Sequence, residues 1–436
     1  MGTLITLDVG GITLTHSKNS RGTDHGSLFQ EQDRKATHSD QINYEYFKET
    51  GKSPTPMEMA LSRTLRDVIP RIELLGFTLE SAKREYEEIA QSWTKEQRTL
   101  ADEDEPESSE SAASFEEFKY LVTRYSISTL DDTFADEIDL ETQARTRGRF
   151  AHEPIIERLP NYDRHENFAY SERSYFSDLV SIIHPYSVLR VLATRTDNLD
   201  ATVVWQYGPL VESGWASAEE FPTGARRTET FLVATEGSSD AHILKHAFTL
   251  LKPEIADFFR FIDVSERHPF SGTGNLLKFA EGLAKIDVHN QVVFVFDNDA
   301  EGFDAHQRLL KFSLPTNMRT MLLPELEQFR SFPARGPEGV SAVDINRRAA
   351  AIECYLDLST NKYPCAKIVW TNYKKELDTY QGSLEFKESY VKDFLELKPE
   401  TLTASAYDVS KISAVLDAII LQCSSIAAAQ RERCDE

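Results

Sequence analysis

Two short and nearly continuous apolar runs stand out along the chain. One opens FLVATEG at Phe231–Gly237, and the other is VVFVF within VVFVFDNDAEG at Val292–Gly302. Runs of this kind are typical of parallel strands that are buried on both faces. A third segment, RFIDV at Arg260–Val264, lies between them, and helical patterns separate the three. The pattern therefore predicts an α/β fold built on a β-α-β-α-β unit with a parallel sheet.

The N-terminal half has a different pattern. LITLDVG and GITLT predict two strands around Gly10–Gly11, in a small β-rich region at 1–50. Residues 51–220 predict a helical region, including a helix from MEMALSRTL to Gly76, with TVVWQYG as part of a connector. Within it, the acidic and Ser-rich stretch at 101–114 predicts a flexible loop. The N-terminal part is thus expected to be an α+β or helical region.

The parallel-sheet core is expected at 228–330, and 331–436 is expected to be a C-terminal helical extension that completes or covers a site. SAVDINRRAAAIECYLDL predicts a helix from about Asn346. The tail, YDVSKISAVLDAIILQCSSIAAAQ, predicts an amphipathic helix that either covers the core or joins two copies of the chain in a homo-oligomer.

Composition indicates a globular protein, with 40% apolar and 10% aromatic residues. The formal charge of −23 gives no whole-chain footprint of a nucleic-acid binder, so phosphate contacts would need a local basic patch. The four cysteines fit no zinc spacing, which favours free thiols and a cytoplasmic location. No signal peptide is expected, and no apolar window approaches the roughly 20 residues that span a bilayer, so no membrane contact is predicted.

Acidic residues follow the two clearest strands. Glu236 comes directly after the first, and Asp297 and Asp299 come after the third. In open α/β sheets the reactive crevice lies beyond the carboxyl ends of the strands. Asp240 is one turn into the next helix and can face the same crevice. Four converging carboxylates repel each other unless cations lie between them, and oxygen-only ligation suits Mg²⁺ or Mn²⁺.

These residues resemble the motifs of a Toprim domain: E-G-x-x-D, a Gly-containing turn, and D-x-D-x-x-G. The resemblance covers about a quarter of the chain. It implies the Rossmann-like, metal-dependent fold that topoisomerases, DnaG-type primases and OLD-type nucleases share. The matching positions are Glu236, Gly237, Asp240, Gly272, Gly274, Asp297, Asp299 and Gly302.

The resemblance also implies roles for individual residues. Glu236, the general acid/base candidate of this family, would hold metal together with Asp240, Asp297 and Asp299. OLD-type nucleases add a further acid and a lysine, for which Glu353 and Lys387 are the first candidates, with Lys374 as second choice for the lysine that contacts the scissile phosphate. The predicted phosphate contacts are Gly237, Gly272 and Gly274.

The densest basic run is TQARTRGRFAHEP, which contains Arg145, Arg147 and Arg149. Arg147 and His152 match the R-x4-6-H pattern of HEPN ribonucleases, although Gly148 weakens the helix that such a site needs. A phosphate-binding patch and a solvated loop are the alternatives, and both are favoured over catalysis. The order of regions, with phrases such as TLDVGG, resembles HEPN/Toprim-associated proteins, which implies a role in bacterial defence.

The favoured hypothesis is a metal-dependent endonuclease, with DNA preferred over RNA as substrate and an ATPase or other defence protein as a partner. No tyrosine lies in a recognisable topoisomerase context, and the flanking domains of a primase have no counterpart. Two alternatives stay open. One is a non-catalytic module that binds metal and a nucleotide, and the other is a ribonuclease that uses Arg147 and His152.

Overall fold

The computed structural model describes residues 3–39, 42–100, 111–135, 140–160, 169–262, 272–286, 288–359, 363–375, 377–404 and 407–435. The chain forms two compact units, Met1–Ala225 and Arg226–Glu436. Of the acidic loop predicted at 101–114, residues 101–110 lie outside the described residues. Taken together, the units are a mixed α/β structure, as the apolar pattern predicted.

The first unit is built on a five-stranded antiparallel sheet of order β2-β1-β5-β4-β3. Gly10 and Gly11 both have positive φ and turn β1 into β2, which confirms the predicted hairpin. The strands are β1 Leu4–Val9, β2 Ile12–Lys18, β3 Arg34–Ala36, β4 Met59–Thr64 and β5 Thr202–Gln206. The helices are α1 Tyr44–Thr50, α2 Thr55–Glu58, α3 Leu65–Leu74, α4 Leu79–Leu100, α5 Phe115–Thr123, α6 Leu140–Arg147, α7 Glu172–Val180, α8 Pro185–Leu192 and α9 Gly208–Glu212.

Two predictions for this unit were wrong in detail. The helix expected through MEMALSRTL is strand β4, whose residues 60–63 are all buried, and α3 begins only after Thr64 caps it. The segment expected to be part of a connector contains β5, which lies at the centre of the sheet between β1 and β4. Burial on both faces outweighs local helix propensity in these segments. The sheet therefore extends across the expected boundary at residue 50.

The second unit contains the predicted parallel sheet, of order β10-β8-β6-β7. Helices α11 and α12 pack onto it through a core that includes Leu276, Phe294 and Leu309. The strand predicted at Arg260–Val264 is found at Phe259–Phe261, and its last two predicted residues lie outside the described residues. The elements are β6 Phe231–Thr235, α10 Ser238–Leu251, β7 Phe259–Phe261, α11 Thr273–Lys285, β8 Gln291–Phe296, β9 Asn298–Asp299, α12 Ala300–Leu310 and β10 Met318–Leu322.

The C-terminal segment is not purely helical, which corrects the expectation. It forms a second four-stranded sheet of order β12-β11-β14-β15, and β13 pairs with β9. No α-helix begins near Asn346, because Ala349 and Ala350 pair with the loop after β8 and a single 3₁₀ turn, Ile352–Tyr355, follows. The elements are β11 Phe332–Gly336, β12 Gly339–Val343, β13 Ala349–Ala350, β14 Ile368–Lys374, β15 Thr379–Leu384, α13 Lys387–Leu395, α14 Pro399–Ala404 and α15 Ser410–Asp435.

The last helix, α15, corrects the expectation about apolar windows. Its Ser410–Arg433 part is long and apolar enough to cross a membrane by length and composition, with a mean hydropathy of 1.8. Half of that window is buried inside the fold, however, and α15 contacts α10, β8 and β10. Its buried positions include Ile412, Leu416, Ile419 and Cys423, which is the spacing of a helix that packs onto a core.

Candidate functional site

The acids that follow β6 and β8 meet at one edge of the parallel sheet. The two strands are hydrogen-bonded neighbours that run in the same direction, so their carboxyl ends lie side by side. The backbone N–H of Asp297 donates to Glu236 Oε1 at 3.0 Å. Glu236 is buried and Asp297 is half-buried. The convergence of Glu236 and Asp297 is thus a feature of the sheet itself.

Asp240 lies in the first turn of α10, directly beside this edge. Its Oδ2 accepts the backbone N–H of Gly237 at 2.9 Å, and its Oδ1 accepts the Ser239 hydroxyl at 3.1 Å. A carboxylate here also satisfies the positive end of the helix. A Cβ at position 237 would lie 3.4 Å from Asp240 Oδ2, which is ordinary van der Waals contact, so packing against this carboxylate does not by itself require the glycine.

Asp299 caps the following helix, α12. Its Oδ1 accepts the Gly302 N–H at 2.8 Å, and its Oδ2 accepts the side-chain amide of Gln381, on β15. A Cβ at Gly302 would overlap the carbonyl oxygen of Asp297 and lie 3.0 Å from Glu236 Oε1. The last glycine of the D-x-D-x-x-G motif is therefore required by the close packing of helix and acids.

The further acid and the lysine that were predicted in the C-terminal segment, Glu353 and Lys387, also lie in this region. Glu353 lies in the 3₁₀ turn that follows β13 and is only 4% exposed. The ammonium group of Lys387, the first residue of α13, lies 3.4 Å from Glu353 Oε1. The charges of both act on Asp240, since Glu353 raises the pKa of Asp240 and Lys387 lowers it. Lys374, the second-choice lysine, instead pairs with Glu301.

The acids hold protons unusually tightly. Burial, which removes water from the carboxyl group, raises the pKa of Glu236 to about 8, and the charge of Asp299 contributes to this rise. A hydrogen bond from Thr273 lowers the same pKa. Burial raises the pKa of Asp297 well above its usual value, and the charges of Asp240, Glu236, Asp299 and Glu353 raise it further. Burial also raises the pKa of Asp240 and of Asp299. The site thus contains more carboxyl groups than can ionise together without a cation.

The donor set fits a hard divalent cation. All five acids offer oxygen only, as Mg²⁺ and Mn²⁺ prefer, and a cation would offset the repulsion between their negative charges. In the part of the chain that the structure describes, no three His, Cys, Asp or Glu side chains are gathered closely enough to hold an ion as they lie. Several of their oxygens are instead turned to the amide and hydroxyl donors described above. Side-chain rotation would be needed to bind a metal.

The other predicted phosphate contacts lie at the start of α11. Gly272 has a φ of +94°, and its N–H donates to the backbone oxygen of Glu236 at 2.9 Å, so this amide is used within the fold. Gly274 is in the first turn of α11, with open space around its Cα. Between them, the Thr273 hydroxyl donates to Glu236 Oε2. The Thr273 contact was not predicted, although a hydroxyl residue in a Gly-rich loop is a recognisable signal.

Gln381 is the second residue that sequence reasoning missed. Besides donating to Asp299, it accepts the N–H of Ala300 at 3.2 Å through its side-chain oxygen. It comes from a strand 82 residues further along the chain than Asp299. Nothing local marks such a residue, because its role depends entirely on the register of β15.

The predicted basic patch lies in the first unit and is largely engaged within the fold. Arg149 pairs with Glu172 at 3.0 Å, and the Arg147 guanidinium lies 5.9 Å from the ring centre of Tyr175. Arg145 is exposed. Helix α6 ends at Arg147, and Gly148 has a φ of +53°. Arg147 and the exposed His152 are therefore not on one continuous helix.

Comparison with known proteins gives one match. The family model described as HEPN/Toprim N-terminal domain 1 matches residues 1–229. No curated protein matches the chain, and no solved structure matches it. The match covers the first unit and ends just before β6, where the candidate site begins.

Proposed function

The chain belongs to the HEPN/Toprim N-terminal domain 1 family, and from this premise we propose that it is a Mg²⁺- or Mn²⁺-dependent Toprim endonuclease of the OLD-like type. It hydrolyses phosphodiester bonds, in DNA rather than RNA, and serves bacterial defence against phage or plasmids. The family of the first unit ties the chain to Toprim proteins by its description, and the acids of the second unit supply the chemistry.

One observation carries the proposal. Residues that are distant in sequence, Glu236 and Asp297, contact each other at the carboxyl edge of a parallel sheet, and Asp240, Asp299 and Glu353 lie in the same electrostatic neighbourhood. A fold that needed only stability would have little reason to place five acids here, because each loses water on burial. Strongly perturbed carboxyl groups that converge in this way are typical of functional sites.

The residues divide the work of hydrolysis between them. Asp297 and Asp299 would hold one cation, and Glu236 with Asp240 or Glu353 the other. Two such cations, when bound, supply an activated water and neutralise charge at phosphorus and at the leaving oxygen. Glu236, with a pKa of about 8, can hold or release a proton near neutral pH, as a general acid/base must.

Lys387 is the candidate for contact with the scissile phosphate. The charge of Glu353 raises its pKa above the usual lysine value, so its ammonium group stays charged at neutral pH. It is half-buried beside Glu353, which restricts where the charge can lie. The proposed setting is the cytoplasm, with an ATPase or a second copy of the chain as partner.

A nicking assay on supercoiled plasmid with Mg²⁺ or Mn²⁺ tests the proposal. We expect the wild type to nick the plasmid and Glu236→Ala and Asp297→Ala to be at least about 100-fold slower. Glu338→Ala, an exposed acid in the turn between β11 and β12, is the matched control and should cleave like the wild type. Equal cleavage by all four proteins would exclude these acids from catalysis.

Calorimetry and RNA cleavage assays distinguish the alternative functions. Metal binding seen by calorimetry, without turnover of plasmid or of structured RNA, would support the non-catalytic module. Metal-independent cleavage of RNA that is abolished by His152→Ala would support the HEPN ribonuclease. Faster cleavage of structured RNA than of plasmid, with the same dependence on Glu236 and Asp297, would support the proposed catalytic site but show that RNA is the preferred substrate.

A further inference from the structure

Three aromatic side chains share one face of the hairpin formed by β14 and β15. Tyr373 lies directly opposite Tyr380, and their ring centres are 5.1 Å apart. A bulge after Trp370 returns the Trp370 side chain to the same face, 6.1 Å from the ring of Tyr380. Tyr373 is 50% exposed and Tyr380 is 44% exposed. The two rings contact each other across the strands and still leave much of their surface accessible to a ligand.

Trp370 is held in place by its neighbours. Gly382 lies opposite it in the register, and a Cβ there would come within 2.8 Å of the indole ring. The guanidinium carbon of Arg348 lies 4.7 Å from the centre of the same ring. A ring fixed between a glycine and a cation is preorganised and does not need to be ordered when a ligand binds. We call Trp370, Tyr373 and Tyr380 the aromatic platform.

The opposite face of the hairpin contacts the candidate site. Gln381 donates to Asp299, and Lys374 pairs with Glu301, which lies in the first turn of α12. The side chains alternate between the two faces of the strands, so one hairpin joins the platform to the acids. A displacement of the hairpin would therefore affect both features at once.

A cavity of about 470 Å³ lies beside the hairpin. Tyr373, at the end of the platform, lines it, and so does Thr273, whose hydroxyl donates to Glu236. The volume lies within the range of sites that bind small organic ligands. The cavity is thus lined both by one ring of the platform and by the residue that donates a hydrogen bond to Glu236.

Basic side chains outnumber acidic ones in the lining of this cavity. It is lined by Arg308, Lys374 and Lys375, and the first two pair with the acids Asp304 and Glu301. Lys375 is exposed and has no ion-pair partner among the residues that the structure describes. A local positive charge next to exposed aromatic rings is what single-stranded nucleic acid requires, since bases stack on rings and phosphates need cations.

We propose that the aromatic platform binds unpaired bases of a single-stranded nucleic-acid segment and that the cavity leads the next phosphodiester to the acids. This inference rests on the proposed nuclease function. Bases in a duplex already stack on each other and cannot lie flat on the tyrosine rings, so the platform selects single strands, flaps or unwound ends. It narrows the substrate from nucleic acid in general to a segment with unpaired bases.

Binding can be measured without cleavage, by fluorescence anisotropy in EDTA with labelled dT20, rU20 and a 20-base-pair duplex. We expect dT20 and rU20 to bind more tightly than the duplex. Tyr373→Ala and Tyr380→Ala should each weaken dT20 binding by about 5- to 150-fold, the value of one stacked base. The corresponding Tyr→Phe variants should bind like the wild type, because a phenyl ring also stacks.

Tyr46→Ala is the matched control, since Tyr46 is 46% exposed and lies in the first unit. It should bind dT20 like the wild type. Unlabelled dT20 should also quench tryptophan fluorescence, and Trp370→Phe should remove that change. Circular dichroism and the Tm of each variant establish whether it is folded. If an alanine variant does not fold, the comparison of single strand with duplex in the wild type and the Tyr→Phe variants still tests the inference.

Binding of dT20 that is equal in wild type, Tyr373→Ala and Tyr380→Ala would overturn the inference, as would equal binding of duplex and single strand. Binding of a protein at this face instead of dT20 would overturn it as well. If one of these outcomes is found and the wild type still nicks plasmid, the nuclease proposal is retained and only the platform is rejected. Tyrosine-dependent binding of dT20 without any nicking would support the platform and remove the nuclease proposal.

Discussion

The backbone N–H of Asp297 donates to the carboxylate of Glu236 across 3.0 Å, although 61 residues separate the two along the chain. The hydrogen bond holds the Glu236 carboxylate against the start of the loop that carries Asp297 and Asp299. The hydrogen bond lowers the pKa of Glu236. Burial raises the pKa of Asp297, and the charges of Asp240 and Glu236 raise it further, since neighbouring carboxyl groups cannot all ionise cheaply without a cation.

The metal-free protein should become less stable as the pH rises from about 5 to 8. An unfolded glutamate loses its proton near pH 4.5, whereas folded Glu236 keeps its proton up to about pH 8. Between these values the folded state binds the additional proton, so its stability decreases as the pH rises. In the Glu236→Gln variant, the decrease in Tm over this pH range should be smaller than in the wild type by at least about 2 °C. Parallel profiles for the two proteins, measured by differential scanning fluorimetry, would show that Glu236 is ionised throughout.

Added Mg²⁺ or Mn²⁺ should reverse that loss. A cation must displace the protons that the acids hold, so it should bind more tightly at pH 8 than at pH 6 and raise the Tm more. The double variant Asp297→Asn/Asp299→Asn should show little or no metal-dependent shift, whereas Glu338→Gln should respond like the wild type. An equal metal-dependent shift in the double variant would locate the bound cation elsewhere.

The close packing around Gly302 should make it intolerant of a side chain. A methyl group there would overlap the carbonyl oxygen of Asp297, so Gly302→Ala should lower stability by about 1–3 kcal/mol and reduce cleavage. Gly282→Ala is the control, because a Cβ at this position in α11 has open space around it. Urea denaturation of the two variants gives the comparison. A Gly302→Ala protein as stable and active as wild type would show that the acids are not packed as described.

Replacement of the lysine beside the acids should reduce turnover more than metal binding. Lys387→Met removes the positive charge 3.4 Å from Glu353 and keeps a side chain of similar length. We expect a cleavage rate about 10- to 1,000-fold lower, the scale of losing one transition-state contact. Lys392→Met, on the same helix with a side chain 75% exposed, should cleave like the wild type. Equal rates for the two variants would exclude Lys387 from contact with the phosphate.

The parallel-sheet core could be predicted because its signals are local. FLVAT and VVFVF are buried on both faces, and the rule that sites lie at the carboxyl ends of strands predicts Glu236, Asp297 and Asp299 at one edge. The β1–β2 hairpin was also predictable, since Gly10 and Gly11 mark a turn that requires positive φ.

Other features depend on contacts that the sequence does not show. The alanine- and arginine-rich segment before Glu353 has high helix propensity, yet Ala349 and Ala350 pair with Asn298 and Asp299 instead. The helix predicted there was wrong, but Glu353 still reaches the acids through the turn that follows. The aromatic platform is equally hidden, because only the register of β14 against β15 sets Tyr373 opposite Tyr380.

The most direct test is anomalous diffraction at the manganese edge from crystals grown with Mn²⁺ and an uncleaved single-stranded oligonucleotide. The account predicts a manganese peak about 2.0–2.3 Å from carboxylate oxygens of Glu236 and Asp297, with a phosphate oxygen of the oligonucleotide completing its coordination. Manganese that binds elsewhere, while these acids keep their present hydrogen bonds and no phosphate approaches them, would contradict it.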